Sequence, residues 1–133
     1  MNPFPGRATL PGVDPLLVID AANVVGSVPD GWWRDRAAAT ERLRDRIADL
    51  SERGLPETGA PVEVVLVVEG KASRVAGSPT VRVIAAPGEG DDRIVDLVRE
   101  HAPRRTYVVT ADRGLRARVT ALGAHVLGPK SIR

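Results

Sequence analysis

Three apolar runs in this chain each lead into a carboxylate: LLVID ends on Asp20, VEVVLVVEG reaches Glu69, and YVVTAD reaches Asp112. A fourth acidic position, the Asp91 and Asp92 pair, stands just before Ile94 and Val98. Any one of these acids alone reads as a helix cap or a turn former. Repetition at the same end of several strands changes that balance, because carboxylates within a few ångströms of one another repel strongly unless protons or cations intervene. An oxygen-only set without His or Cys suits Mg²⁺ or Mn²⁺ rather than zinc. A cation held there lowers the pKa of a bound water, positions in-line attack on a phosphodiester and offsets charge on the leaving oxygen. The carboxylates then hold metal rather than act as nucleophile.

For those acids to meet, the runs that carry them must lie side by side with their carboxyl ends together. LLVID, from Leu16 to Asp20, reads as a strand buried on both faces, and Val62 to Val68 repeats the design. Thr80 to Ala85, Tyr107 to Thr110 and the short HVL supply three more strands. Between them, Leu43, Ile47 and Leu50 recur at helical spacing within a segment from Trp32 to Arg53, preceded by a turn and stopped by Gly54 and Pro56. Ile94, Val98 and His101 mark a helix that starts near Asp91 and is ended by Pro103. Leu115, Val119 and Leu122 mark a last one, stopped at Gly123. KASRVAGSPT, after Glu69, reads as a flexible connection. This alternation predicts an α/β, three-layer, PIN-like or Rossmann-type domain with a mainly parallel sheet of about five strands. In such sheets ligands collect at the carboxyl ends, at a topological switch point. The proline- and glycine-rich opening predicts a flexible arm over residues 1–15, leaving one domain over residues 16–133.

Helix arithmetic separates the adjacent acids. Asp91 lies three residues before Ile94 and seven before Val98, on the face that packs against the sheet, whereas Asp92 aligns with Asp96 and Arg99 in a more solvated direction. Asp91 is therefore the expected ligand; Asp92 is left as a second ligand, a supporting residue or a favourable charge at the helix start. Asn23, three residues after Asp20, either caps the following segment or orients a bound water or phosphate. Thr110 can donate to a carboxylate and hold it in position. His101 and His125, late in a helix and at the start of a strand, suit structural roles.

The 133 residues suffice for one domain with a real core, and 43% apolar with 27% charged residues is ordinary for a globular chain. Aromatic residues are scarce at 3%, so the core must be built from Val, Leu, Ile and Ala, as parallel sheets often are. The absence of cysteine excludes disulfides, zinc-thiolate sites and cysteine nucleophiles. No run approaches the ~20 apolar residues of a membrane span, and Met1 to Asp14 lacks the apolar stretch of a signal peptide. A cytoplasmic protein without membrane partners is the expectation. The formal charge is only +2, yet the basic residues are nearly all arginine, whose planar fork binds phosphate. Nucleic acid is permitted rather than demanded.

Taken together, VIDAANVVG, VVLVVEG, GEGDDRIVDLV and VVTADRGLRARVTALGAHVL resemble the NYN domain family, the YacP-like branch of the PIN-like nucleases, over about Leu16 to Leu127. The resemblance implies a Rossmann-type domain with a Mg²⁺-binding acidic site and an association with RNA cleavage. It places the family's Asp-x-x-Asn on Asp20 and Asn23, its acidic pair on Asp91 and Asp92, and its Ser/Thr-x-Asp-Arg on Thr110, Asp112 and Arg113. The family's second strand commonly ends in Asp-Gly; here Glu69 precedes Gly70, so this longer side chain reaches a metal directly, through water or not at all. Gly90 stands where a small residue, often alanine, is typical.

A polyanion reaches an acidic centre only past basic groups. Lys71 and Arg74 beside Glu69, Arg113 and Arg116 at the start of the last helix, and Lys130 with Arg133 are the candidates. Trp32 and Trp33 either stack on an unpaired base or pack the start of a helix, the second being the commoner use. Three functions follow: a Mg²⁺- or Mn²⁺-dependent ribonuclease, endonucleolytic by expectation; a noncatalytic RNA-binding or ribosome-associated module; or a small-nucleotide phosphohydrolase. An open arginine-flanked groove speaks for RNA and an enclosed pocket for a small nucleotide. Whether the chain forms a homodimer does not follow from its sequence.

Overall fold

The structure is a computed structural model and describes residues 14–133. The arm expected over residues 1–15 therefore lies outside the described residues except for Asp14 and Pro15, and those two are tied to the domain. The Asp14 carbonyl accepts from Arg104 Nε at 2.6 Å, and the Pro15 carbonyl accepts from the Glu63 amide at 3.0 Å.

Five strands, β1 (Leu16–Asp20), β2 (Glu63–Val68), β3 (Arg82–Ala85), β4 (Thr106–Val109) and β5 (His125–Leu127), form one sheet in the order β3-β2-β1-β4-β5. Every neighbouring pair is parallel. Strand side chains alternate between faces, so each strand serves two cores. Leu17, Ile19, Leu66 and Val109 point to one face, covered by α1 (Ala21–Gly26), α2 (Arg36–Arg46) and α3 (Leu50–Arg53) through Val24, Leu43, Ile47 and Leu50. Leu16, Val18, Val67 and Val108 point to the other, covered by α4 (Gly90–His101) and α5 (Arg113–Ala121) through Ile94, Val98, Leu115 and Val119. Residues such as Leu17, Ile19, Leu66 and Ile94 retain no exposed surface, and each contributes about 1.5–3 kcal/mol of burial. Aliphatic side chains with few rotamers fill a sheet closed on both faces, as the aromatic-poor composition required.

Two expectations change. The helix expected from Trp32 to Arg53 is broken into a 3₁₀ turn (Trp32–Arg34), α2 and α3, while α1 forms in what read as a turn. Asp35 causes the first break: it is extended at φ −154°, and its Oδ1 accepts from the Ala38 amide at 3.0 Å, starting α2 afresh. The connection after Glu69 is also more ordered than its composition indicated. Gly70–Arg74 forms a 3₁₀ turn, Ala72 and Val75 are buried, and Arg44 of α2 donates from Nη1 to the Ala76 carbonyl at 2.8 Å.

The strand order fixes where a ligand site belongs. The chain moves outward from β1 through β2 to β3, then returns to the opposite side of β1 as β4. The crossovers diverge between β1 and β4, at their carboxyl ends, which is the switch point where open α/β sheets bind ligands. Asp20 closes β1 on one side of that crevice; Thr110 and Asp112 follow β4 on the other.

Candidate active site

Asp20 is the best-defined part of the site. It is the last residue of β1 and the N-cap of α1, and only 5% of its surface is exposed. Its Oδ2 accepts from Thr110 Oγ1 at 2.9 Å, across the switch point, while Oδ1 receives only a long 3.4 Å contact from the Asn23 amide. The Thr110 hydroxyl in turn accepts from the Asp112 amide at 3.1 Å. Asn23 neither caps α1 nor faces open solvent with its carbonyl oxygen: Oδ1 accepts from the Ala111 amide at 2.8 Å. It joins α1 to the loop between β4 and α5, and thereby sets where Asp112 stands.

Asp112 does act as a cap, its Oδ1 accepting from the Leu115 amide at 2.9 Å. Its second oxygen has no protein hydrogen-bond donor among the described residues. Arg113 and Arg116 follow in the first turn of α5, Arg113 exposed and Arg116 half-buried.

On the other flank, α4 separates its two acids as the helical arithmetic required. Asp91 is half-buried and close enough to Asp112, Glu69 and Glu89 to feel their charge. Asp92 is exposed and turns away to α5, where it pairs with Arg118 Nη2 at 3.1 Å. That pair lies on the outer side of the helices, in the more solvated direction that the helical arithmetic gave it. Glu69 approaches from β2 over Gly90. A Cβ built on Gly90 would lie 2.9 Å from Glu69 Oε1, so the missing side chain is the space that Glu69 occupies.

The electrostatics follow from this crowding. Burial first, and then the charges of Asp91 and Glu69, raise the Asp20 carboxyl from its ordinary 3.8 to about 6, against the hydrogen bonds from Thr110 and the Asn23 amide. Asp91 is also raised, first by desolvation and then by Asp112, Glu69 and Glu89; Arg118 opposes. Glu89, just before α4, is a member of this negative field that the sequence reading missed, since nothing in GEGDD distinguishes it from a turn residue.

Crowded, partly desolvated carboxylates, offset only in part by Arg118, favour a cation in their midst. The donor chemistry thus fits Mg²⁺ or Mn²⁺. The spacing is looser than a ready-made cage: among the described residues no three His, Asp or Glu side chains converge on one point. That looseness accords with Mg²⁺, which commonly keeps several waters and is completed by substrate phosphate on one or two carboxylates.

Among the described residues the remaining basic candidates form no ion pair with these acids. Lys71 and Arg74 are exposed on the turn after Glu69. Arg133 is held by Ser27, and Lys130 stands exposed near the chain's end. His101 Nδ1 lies 2.8 Å from the Leu97 carbonyl, and His125 stacks on Tyr107 at 5.0 Å, both structural contacts. No helix among the described residues is long and apolar enough to cross a membrane.

A single five-stranded parallel sheet with helices on both faces and acids at the β1–β4 switch point defines a PIN-like α/β domain. Rae1 (YacP) from Bacillus subtilis has the same fold: the two superpose with a TM-score of 0.68 at 19% identity, over 87% of this chain and 70% of that one. A tryptophan-to-leucine mutant of the same protein gives 0.64 at 18% identity with the same coverage. The resemblance to the YacP-like branch thus holds at the level of the fold. In sequence, the UPF0178 protein mlr0875 of Mesorhizobium japonicum is 42% identical over 66 residues. That stretch spans 50% of this chain and 42% of the relative, so the chain matches less than half of the relative's length. No family model matches the sequence.

Proposed function

We propose that this chain is a metal-dependent ribonuclease that hydrolyses RNA phosphodiester bonds internally, in the cytoplasm, with Asp20, Asp91 and Asp112 around a Mg²⁺ or Mn²⁺ ion and Glu69 beside them. One observation carries the reading: a buried carboxyl at the switch point, raised to about 6, feels the charges of Asp91 and Glu69, and among the described residues no basic side chain pairs with it. A structural acid in that position ordinarily has a basic partner.

A bound divalent ion supplies charge neutralisation at the phosphate and a water more acidic than bulk. The protein's own part is positioning. Thr110 fixes the Asp20 carboxylate by its 2.9 Å hydrogen bond, leaving Oδ1 weakly engaged. Asn23 fixes the loop that presents Asp112. Arg113 and Arg116 lie at the start of α5, where they can meet the RNA backbone arriving from that side. RNA binding without turnover is the second reading, favoured by the absence of three converging acids among the described residues.

End-labelled single-stranded and hairpin RNAs incubated with Mg²⁺, Mn²⁺ or EDTA separate the two. Internal fragments that appear with metal and vanish with EDTA are expected. RNA retained on the protein but uncut under all three conditions would overturn the nuclease reading in favour of the binding module.

A further inference from the structure

The two tryptophans and four cations occupy one continuous surface next to Glu69. A cavity of about 280 Å³ opens between α1, α2 and the end of β2, lined by Val25, Trp32, Arg36, Thr40, Glu69 and Ala72 among others. It begins one residue after Asp20, at Ala21. Its volume is at the small end of the range of about 300–1,000 Å³ for ligand sites, which suits one flat ring system. One wall is the Trp32 ring, packed on the core below and covered by the Arg36 guanidinium at 5.3 Å. The Thr40 hydroxyl already donates to the Arg36 carbonyl at 2.8 Å, so Arg36 and Glu69 are the polar groups at its edge.

Beyond Arg36 the surface turns basic. A second hollow of about 320 Å³ shares Arg36 and adds Trp33, Arg34, Asp35, Lys71 and Arg74. Trp33 is 57% exposed, a large apolar ring left in water at a basic rim. Among the described residues none of Arg34, Arg36, Lys71 and Arg74 lies within 4.0 Å of a carboxylate, and Asp35 is occupied in capping α2. Four cations without carboxylate partners and two tryptophan rings, leading from a pocket that Glu69 borders, match the two needs of an unpaired polynucleotide. Its phosphates need positive charge and its bases need flat apolar surface. A folded acidic protein would use the cations but not a ring-sized pocket.

We propose that this surface is a single-strand track: one unpaired base enters the Trp32 pocket next to Glu69, and the adjoining nucleotides run over Trp33 between Arg34, Lys71 and Arg74. One stretch of the substrate then lies on the α2 side, in addition to the backbone contacts at the start of α5, and a base-paired segment is excluded from the pocket because its bases are not free to enter. This rests on the ribonuclease reading for its meaning but not for its test.

Trp32 and Trp33 are the chain's two tryptophans, so intrinsic fluorescence reads occupancy directly, and EDTA stops metal-assisted cleavage during the titration. An unstructured RNA oligonucleotide should quench the emission, a blunt RNA duplex should do so far more weakly, and polyglutamate should leave it unchanged. Trp33→Ala should weaken single-strand binding about tenfold. Lys71→Ala with Arg74→Ala should flatten the dependence of log affinity on log salt by about 1.4. Ala22→Leu, an exposed substitution that fills the pocket from α1, should remove the Trp32 part of the quench while the protein stays folded by circular dichroism. The proposal is overturned if RNA binds without quenching, if duplex or polyglutamate quenches as strongly, or if these variants bind as the parent does. Binding in EDTA without cleavage in Mn²⁺ leaves the track and removes the nuclease; cleavage at an unaltered rate by the track variants does the reverse.

Discussion

The two flanks of the acidic centre are built by different means. On the β1–β4 flank, hydrogen bonds of 2.9 and 2.8 Å join Asp20 to Thr110 and Asn23 to Ala111 between elements far apart in sequence, and the Asp112 amide donates locally to Thr110 at 3.1 Å. On the β2–α4 flank, Glu69 and Asp91 have no side-chain hydrogen bond among the described residues; Glu69 is placed by the space above Gly90, and Asp91 by the face of α4 that meets the sheet. Hydrogen bonds fix a carboxylate's direction, whereas packing fixes only its neighbourhood. The first flank is preorganised. The second keeps freedom to move, which is what the proposed site, completed by a cation and a phosphate, would require.

The largest effect expected from breaking that contrast is at Asp20. Asp20→Asn should lower cleavage on the order of 10²- to 10³-fold, the scale on which one charge-stabilising group acts. It should also stabilise the metal-free protein near neutral pH. The folded chain holds the Asp20 proton up to about 6 while the unfolded chain releases it near 3.8, so stability falls as pH rises between those values. A displacement of that size corresponds to about 3 kcal/mol, and thermal melts in EDTA from pH 3.5 to 8 should show the slope in the parent and its loss in the variant. Addition of Mn²⁺ should raise the parent's melting temperature and not that of Asp20→Asn.

Thr110→Val should come next. It removes the donor to Asp20 and the acceptor of the Asp112 amide, costing about 1–3 kcal/mol in chemical denaturation, and should move the acidic limb of the cleavage profile to higher pH because a lowering contact on Asp20 is gone. An unmoved limb would mean that the first flank is not what tunes Asp20. Gly90→Ala probes the second flank. Its Cβ displaces the flexible end of Glu69, so folding should change little while cleavage or Mn²⁺ affinity falls several-fold; adding Glu69→Asp, which shortens the displaced side chain, should restore part of it. The smallest effect belongs to Asp92→Asn, which loses one exposed pair to Arg118, worth about 0–1 kcal/mol, and should cut RNA nearly as the parent does, unlike Asp91→Asn.

The five strands and the acids at their ends were legible because a doubly buried strand writes itself as a continuous β-branched run, and its last residue is set by where that run stops. The separation of Asp91 from Asp92 was legible for the same reason, through a strong 3.6-residue period in α4. Asn23's bond to Ala111 was not, because it joins positions 88 apart in sequence and depends on the β1–β4 adjacency. The break at Asp35 was hidden by the apolar period running through Leu43 and Ile47, although the acid that caps the new helix was in view. The pocket at Trp32 and Arg36 needed three elements to converge, and no local pattern records that.

The central claim is that the crevice around Asp20 is where RNA is cut. Single-turnover cleavage of a labelled RNA in Mn²⁺, comparing the parent, Asp20→Asn and Asp92→Asn with folding checked by circular dichroism, tests it most directly. The account predicts a cut by the parent and by Asp92→Asn, and none above background by Asp20→Asn. Equal cleavage by Asp20→Asn would contradict it and place the chemistry elsewhere on the molecule.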